Sequence, residues 1–175
     1  MSKKSTSAAA EVFATQQSTA EAVVNKYVPW SMGLGFVPMP LLVAAGLAGI
    51  QIKMLSDISK IYGVEFSENR AKSIVVSLLG GIAPAALAGG VGGLLAAIPF
   101  IGIWILPATM PLLAGGSTYA VGKIFVQHFE SGGTFLDFNP LGAKKLFAER
   151  FAEGKAHAGK VASSLNAKFS KVFDI

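Results

Sequence analysis

The longest uncharged stretch of this chain runs from Lys72 to Lys123 and contains no Asp, Glu, Lys, Arg or His over fifty residues. A membrane-spanning helix needs about 20 apolar residues, so the stretch is long enough for two passes. Prolines favour a break between helices, and three of them follow the middle of the stretch, at Pro99, Pro107 and Pro111. We therefore predict a membrane hairpin made of residues 74–98 and 100–122.

A second uncharged window covers the 26 residues between Lys26 and Lys53. Charge alone leaves open whether residues 34–52 span the membrane as a third segment or lie in the interface. Basic loops stay on the cytoplasmic side of a membrane. The hairpin therefore predicts a membrane protein whose tail and whose loop at residues 53–72 are cytoplasmic.

Composition agrees with a membrane protein. Charged residues make up 14% of the chain and apolar residues 52%, against a norm of about 25% charged in soluble domains. The chain has no cysteine, which excludes disulfides and cysteine nucleophiles. We predict an all-α membrane protein with a glycine-rich hydrophobic hairpin and flanking amphipathic helices. Its expected parts are a polar or amphipathic helix at 1–30, a membrane-embedded module at 31–132 and a basic amphipathic helix at 133–175.

Local signals mark several helix boundaries. Four apolar residues of the N-terminal segment share one helical face, namely Phe13, Ala20, Val24 and Tyr27. The alternative for this segment is a weakly ordered tail. Pro40 suits the first turn of an apolar helix over residues 41–55. Gly63 suits a helix end, and Ser67 followed by Glu68 suits the start of the next helix.

Small residues are concentrated in the first half of the hairpin. Lipid offers no hydrophobic drive for helix association, so close backbone approach through small residues supplies the packing. The predicted helix-packing residues are Gly80, Gly81, Gly89 and Gly93. They favour either a self-associating or pore-lining helix, or packing of the hairpin onto its own neighbours.

The C-terminal segment combines an apolar seam with basic flanks. Asn139 and Pro140 are typical of a helix start. Apolar or small residues then recur three or four positions apart, at Phe147, Phe151, Gly154, Ala158, Val161, Leu165, Phe169 and Val172. The candidate lipid-binding residues around this seam are Lys144, Lys145, Arg150, Lys155, Lys160, Lys168 and Lys171.

Such a helix has two possible partners. A basic amphipathic helix with aromatic residues on its apolar face suits an anionic leaflet, where each cation contributes about 1 kcal/mol. A seam packed against a partner helix, in this chain or in a second copy, is the alternative. We do not expect nucleic-acid binding, because no base-stacking platform accompanies the charge.

No catalytic constellation is visible in the sequence. His128 and His157 are the only histidines, and their separation matches no zinc-ligand spacing. Residues 154–160 match the P-loop pattern, but Val161 occupies the position where magnesium needs Ser or Thr, and no strand precedes the segment. We therefore predict a non-enzymatic protein with no cofactor and no metal site.

Eight short segments occur together in a recognisable order, at residues 37–40, 50–54, 61–64, 67–72, 78–81, 98–102, 118–123 and 128–132. With these segments, residues 34–132 resemble the uncharacterised bacterial YcjF-like, GTPase-associated membrane family. The resemblance implies the bacterial inner (cytoplasmic) membrane as the location. Val43 departs from the family pattern, which usually has an acidic residue there. The chain contains no GTPase domain, so the resemblance implies a GTPase partner that acts in trans.

These features predict a membrane-embedded module that forms homo-oligomers and acts as a scaffold or docking site at the cytoplasmic surface. The alternative is a homo-oligomeric channel or pore, with glycine-rich helices lining the conduit and a re-entrant turn at residues 99–111. A third possibility is a cytoplasmic protein that hides its hairpin in a soluble assembly and inserts only on a signal.

Overall fold

A computed structural model describes residues 2–37, 39–80 and 101–173 of the chain. These residues form five α-helices, Ser2–Leu34 (α1), Pro40–Tyr62 (α2), Glu68–Gly80 (α3), Ile101–Glu130 (α4) and Lys144–Phe173 (α5). The described ranges contain no β-strand, which confirms the predicted all-α class. Residues 81–98, most of the first half of the predicted hairpin, lie outside the described residues.

Helix α4 is the centre of the bundle and packs against the four other described helices. Helix α1 runs antiparallel to α4, since Val24 lies against Gly122 and Met32 lies against Gly115. Helix α5 also runs antiparallel to α4, since Gly154 lies against Gly116 and Ala158 lies against Gly115.

Helix α2 runs parallel to α4. Near the middle of α2, Gln51 Nε2 donates hydrogen bonds to Ser117 Oγ at 3.2 Å and to Thr118 Oγ1 at 3.3 Å. At the end of α2, the Tyr62 hydroxyl donates to a carboxylate oxygen of Glu130 at 3.1 Å. The C-termini of α2 and α4 therefore meet at one end of the bundle, together with the starts of α3 and α5. We define this as the charged end, and the opposite end, formed by residues 30–46 and 101–112, as the apolar end.

Local signals set the boundaries of α2 and α3 as predicted. Pro40 occupies the first turn of α2, where its missing N–H costs little. Gly63 ends α2 with a φ of 66°, a left-handed conformation that glycine adopts without a steric penalty. Ser67 precedes α3, and its carbonyl accepts a hydrogen bond from the backbone N–H of Ala71 at 2.9 Å.

We predicted that Pro99, Pro107 and Pro111 break the helix, and this prediction is wrong for Pro107 and Pro111. Helix α4 continues through Pro107 and Pro111, so residues 101–111 form no re-entrant turn. Pro99 lies outside the described residues. A proline inside a helix removes one hydrogen bond and costs about 3 kcal/mol. Tertiary packing contributes to offsetting this cost, since Pro111 is buried in close contact with Gly35 of the α1–α2 connection.

The predicted start of the C-terminal helix is also displaced. Asn139 Oδ1 accepts hydrogen bonds from the backbone N–H groups of Leu141 and Gly142, both at 3.1 Å. These bonds close a turn, and α5 begins five residues later, at Lys144. An asparagine that bonds two or three residues ahead closes turns as well as it caps helices. The sequence signal is the same in both cases.

Aromatic side chains fill the core at the charged end. Phe125 of α4 packs against Phe135 and Phe138 of the α4–α5 connection, with ring centroids 5.4 Å and 4.6 Å apart. Phe66 meets Phe135 edge to face at 5.5 Å. Phe125 and Phe135 are both buried, so these contacts fix the connection that reverses the chain into α5.

Part of the long uncharged run forms the core of the bundle. Ile74, Val75 and Leu78 of α3 are buried, as are Val121 and residues 114–118 of α4. Neighbouring helices cover these side chains, so they remove apolar surface from water without lipid.

Candidate functional site

The apolar end of the bundle exposes large hydrophobic side chains. Trp30 is 68% exposed and Phe36 is 69% exposed. Met39, Leu42 and Met110 are exposed at the same end. Scattered apolar residues are common on soluble proteins, but a concentration of this kind marks an interaction surface.

On α1 to α4, charged residues stop short of the apolar end, whereas the antiparallel α5 carries Lys160, Lys168 and Lys171 back alongside it. On each of the first four helices, the charged residue nearest that end is a lysine, namely Lys26, Lys53, Lys72 or Lys123. We define these four residues as the lysine belt. Since α2 and α4 are parallel and Gln51 contacts Ser117, Lys53 lies within about one helical turn of the level of Lys123. The lysines that flank the uncharged windows in the sequence thus lie on the same side of the apolar end.

Helix α2 carries the one stretch of the described residues with the length and hydropathy of a membrane span, Leu42–Tyr62. Only 28% of the most apolar part of this stretch is buried in the bundle. Its second half carries Lys53, Asp57 and Lys60, which form ion pairs at 2.6 Å and 3.4 Å. A charge at the centre of a bilayer costs about 2.5 to 3.5 kcal/mol. The first half of α2, residues 40–52, is therefore the part suited to lipid.

Helix α5 changes character along its length. In its first half Phe147, Gly154 and Ala158 are buried in the bundle. From residue 163 to residue 172 every position is exposed, and Phe169 is 60% exposed. The predicted seam is therefore a helix–helix contact in its first half, with α4 of the same chain as the main partner.

The candidate lipid-binding residues divide in the same way. Lys144 and Lys145 lie at the charged end, and Arg150 donates to a carboxylate oxygen of Glu153 at 3.0 Å. After Gly154, α5 exposes Lys155, Lys160, Lys168 and Lys171. No acidic residue lies between residues 154 and 173, so the charges in this part of the helix are all basic.

Glycines allow the closest helix contacts in the described bundle. A methyl group at Gly154 would come within 2.5 Å of the carbonyl oxygen of Gly116 and within 2.9 Å of its Cα. A methyl group at Gly122 would come within 2.5 Å of Val24. Helix α4 therefore lies close to both α5 and α1, because glycine has no side chain to keep the helices apart.

The sequence did not single out these contacts. Of the predicted helix-packing residues, Gly80 ends α3, whereas Gly81, Gly89 and Gly93 lie outside the described residues. The glycines that make close contacts in α4 are Gly115, Gly116 and Gly122. Gly115 and Gly122 are seven residues apart, a spacing that keeps two residues on one helix face. This spacing is the sequence signal that could have predicted the contacts.

A polar cleft of about 110 Å³ lies between α1, α4 and α5, lined by Glu21, Val24, Asn25, Tyr119, Lys123 and His157. Lys123 forms a salt bridge with Glu21. The His157 ring stacks on Tyr119 with centroids 4.9 Å apart. Burial, followed by the positive charges of Lys160 and Lys123, lowers the pKa of His157.

The second histidine belongs to a different cluster. His128 Nε2 lies 2.9 Å from the carbonyl oxygen of Thr134, and the backbone N–H of Thr134 donates to Asp137 at 2.6 Å. The bonds from Thr134 hold the pKa of Asp137 below its ordinary value. The described ranges contain no group of three side chains that could hold a metal ion. The P-loop-like segment at 154–160 is part of the continuous helix α5 and forms no phosphate-binding loop.

These features define a helical bundle in which α1, α2 and α4 are apolar at one end and charged at the other, with lysines at the border and the basic second half of α5 beside the apolar end. The chain belongs to the family described as Domain of unknown function (DUF697), whose model matches residues 1–155. It is similar to Magnetosome membrane protein 22 of Magnetospirillum gryphiswaldense, with 34% identity over 144 residues, which cover 81% of this chain and 73% of the relative. No solved structure matches the chain.

Proposed function

We propose that this protein is a non-enzymatic, membrane-anchored module that inserts the apolar end of its bundle into the bilayer. The observation that carries the proposal is the concentration of exposed apolar side chains at the end where α1, α2 and α4 carry no charge. Such a surface is covered either by lipid or by another protein. The name of the similar magnetosome membrane protein supports lipid as the cover.

The lysine belt supports a cytoplasmic charged end. Basic residues next to membrane segments stay on the cytoplasmic side, and the belt residues all lie on the charged-end side of the apolar surface. Trp30 follows Lys26 by one helical turn toward the apolar end. Tryptophan favours the headgroup region, so this pair suits the membrane interface.

The second half of α5 supplies a further contact with the membrane. Its exposed lysines cannot enter the hydrocarbon without a cost of about 2.5 to 3.5 kcal/mol each. Its exposed apolar residues Leu165, Phe169 and Val172 favour contact with acyl chains. An amphipathic basic helix satisfies both preferences when its exposed part, which begins at residue 163, turns away from α4 and lies along an anionic headgroup layer.

The proposed role is a homo-oligomeric scaffold or docking site, with a GTPase partner that binds in trans. The resemblance to the YcjF-like family is the support for the GTPase partner. The charged end is the surface left for such a partner, and it exposes Leu136 and Leu141 among charged residues. Crosslinking of the membrane-embedded chain tests the oligomer, and co-purification of a GTPase with it tests the partner.

The channel alternative gains no support from the described residues. Met54, Leu55 and Phe125 are fully buried side chains that fill the interior between the helices. A conduit would therefore have to form between copies of the chain. Ion flux through liposomes that carry the purified protein would favour the channel over the scaffold.

Fluorescence quenching by lipid tests the proposed insertion. The chain has no cysteine, so a dye can be attached at Phe36→Cys or Leu42→Cys at the apolar end. Asn69→Cys and Ser131→Cys, exposed at the charged end, are the matched controls. In liposomes with brominated acyl chains, we expect strong quenching at the first two positions and little at the controls. Equal quenching at all four positions would refute the proposed insertion.

A further inference from the structure

The cleft between α1, α4 and α5 shares Lys123 with the lysine belt, but its other polar residues take no part in the proposed membrane insertion. Its polar lining comes from three helices, with Glu21 and Asn25 one turn apart on α1, Tyr119 and Lys123 one turn apart on α4, and His157 on α5. The packing of the bundle therefore creates this site, and no single segment of the sequence contains it.

Several polar groups of the cleft have unused hydrogen-bonding capacity. Within the part of the chain that the structure describes, the Asn25 amide, the Tyr119 hydroxyl and the His157 ring nitrogens form no hydrogen bond. The amide and the hydroxyl can donate, and a protonated imidazole donates from both nitrogens. The cleft thus presents donors from all three helices.

The charges around the cleft favour a negative ligand. Glu21 of α1 contributes one negative charge, whereas Lys123 of α4 and Lys160 near His157 on α5 contribute two positive charges. The balance is one excess positive charge before His157 binds a proton. Glu21 has a side chain that is 40% exposed, so its carboxylate can turn into solvent when another anion pairs with Lys123.

We propose that this cleft binds a phosphate-type oxyanion, held by Lys123 and protonated His157 with Asn25 as a neutral donor. The cleft measures about 110 Å³, whereas one water occupies about 10 to 15 Å³ by the same measure, so several heavy atoms fit. Charge-assisted hydrogen bonds from lysine and imidazolium to phosphate are stronger than those between neutral groups. The oxyanion comes either from free phosphate or from a phospholipid headgroup.

The two histidines make the binding measurable by NMR on the full-length protein in a non-ionic detergent. We titrate inorganic phosphate at constant ionic strength and follow the imidazole protons as a function of pH. We expect a saturable upward shift in the titration midpoint of His157, because the anion favours the imidazolium over the neutral ring. His128, which lies in the Thr134 cluster, is the internal reference.

Variants of the salt bridge decide whether the site is the cleft. Lys123→Gln removes a cationic ligand, and we expect affinity to fall about tenfold. Glu21→Gln removes the competing carboxylate, and we expect tighter binding. Lys60→Gln, on the exposed surface of α2 and outside the lysine belt, is the matched control and leaves the affinity unchanged. If Lys123→Gln does not fold, the Glu21→Gln variant decides alone, and an unchanged affinity in it overturns the proposal.

Short-chain lipids separate the two sources of the oxyanion. A response of His157 to inorganic phosphate assigns the site to the free anion, whereas a response to dihexanoyl phosphatidylglycerol alone assigns it to a headgroup. Dihexanoylglycerol, which lacks the phosphate, is the control. An equal response to this control, or no response to any probe, overturns the proposal. These experiments contain no bilayer, so their outcome is independent of the insertion test.

Discussion

At Gly154 and Gly159, two glycines of α5 differ in what a side chain would meet. A methyl group at Gly154 would meet the backbone of Gly116 on α4, whereas one at Gly159 would meet nothing within 4 Å. Gly154→Ala should therefore lower the free energy of unfolding by about 1 to 3 kcal/mol, since overpacking forces the backbones apart. Chemical denaturation of the purified protein in detergent measures the effect.

Gly159→Ala is the control for this substitution. Alanine in an open helical position stabilises a helix by up to about 1 kcal/mol relative to glycine. We therefore expect a neutral or slightly stabilising effect at Gly159. If both variants lose the same free energy of unfolding, the effect of Gly154→Ala does not come from the close contact between α4 and α5.

His157 should make the fold sensitive to mild acid. Burial and the nearby lysines lower its pKa below the ordinary value of 6.5, so the unfolded chain binds a proton more readily than the folded one. The contribution of this group is fully present above pH 6.5 and is lost as pH falls through 6.5 toward the lowered pKa. We expect His157→Gln to reduce the slope of unfolding free energy against pH in that window. An unchanged slope would contradict the burial of His157.

At the scale of elements, the two ends of α5 should respond differently to anionic lipid. Lys144 and Lys168 lie about 36 Å apart along a straight helix of 1.5 Å rise per residue, which exceeds a Debye length of about 8 Å at physiological salt. In the proposed orientation only the exposed second half of α5, turned away from α4, meets headgroups. Lys168→Gln with Lys171→Gln should therefore weaken the lipid contact, whereas Lys144→Gln with Lys145→Gln should leave it unchanged.

An environment-sensitive dye at Ala167→Cys reports this contact in liposomes with and without anionic lipid. We expect a blue-shifted emission with anionic lipid, a smaller shift in the first double variant and a parental shift in the second. Equal losses in both double variants would mean that the whole helix, and not its second half, lies on the membrane.

The sequence predicted helix boundaries correctly where the backbone conformation at the boundary strongly favours one residue type, such as glycine or proline. Gly63 has a left-handed φ and Pro40 begins a helix, and both positions followed from the sequence. The continuation of α4 through Pro107 and Pro111 did not follow from the sequence, because tertiary contacts such as that of Pro111 with Gly35 help to decide whether a proline is tolerated inside a helix. The start of α5 was displaced because Asn139 serves turns and helix caps alike.

For the whole molecule, the fold predicts that two loops lie on one face of the membrane. The start of α3 and the end of α4 are both at the charged end. An impermeant maleimide should therefore label Asn69→Cys and Ser131→Cys from the same side in cells. Ser59, an apparent alternative for labelling, is buried and unsuitable. Labelling of the two cysteines from opposite sides would require an odd number of crossings between them.

The sequence by itself determined the helical class, the uncharged windows and the lysines at their borders, because these depend only on composition and local order. It also located the apolar seam of α5. Only the tertiary structure decided that half of that seam and much of the uncharged run pack against neighbouring helices, while Trp30 and Phe36 stay exposed. The polar cleft likewise exists only in the fold, since Glu21, Lys123 and His157 are distant in the chain. Burial depends on which helix faces pack against each other, and that packing is determined by residues far apart in the sequence.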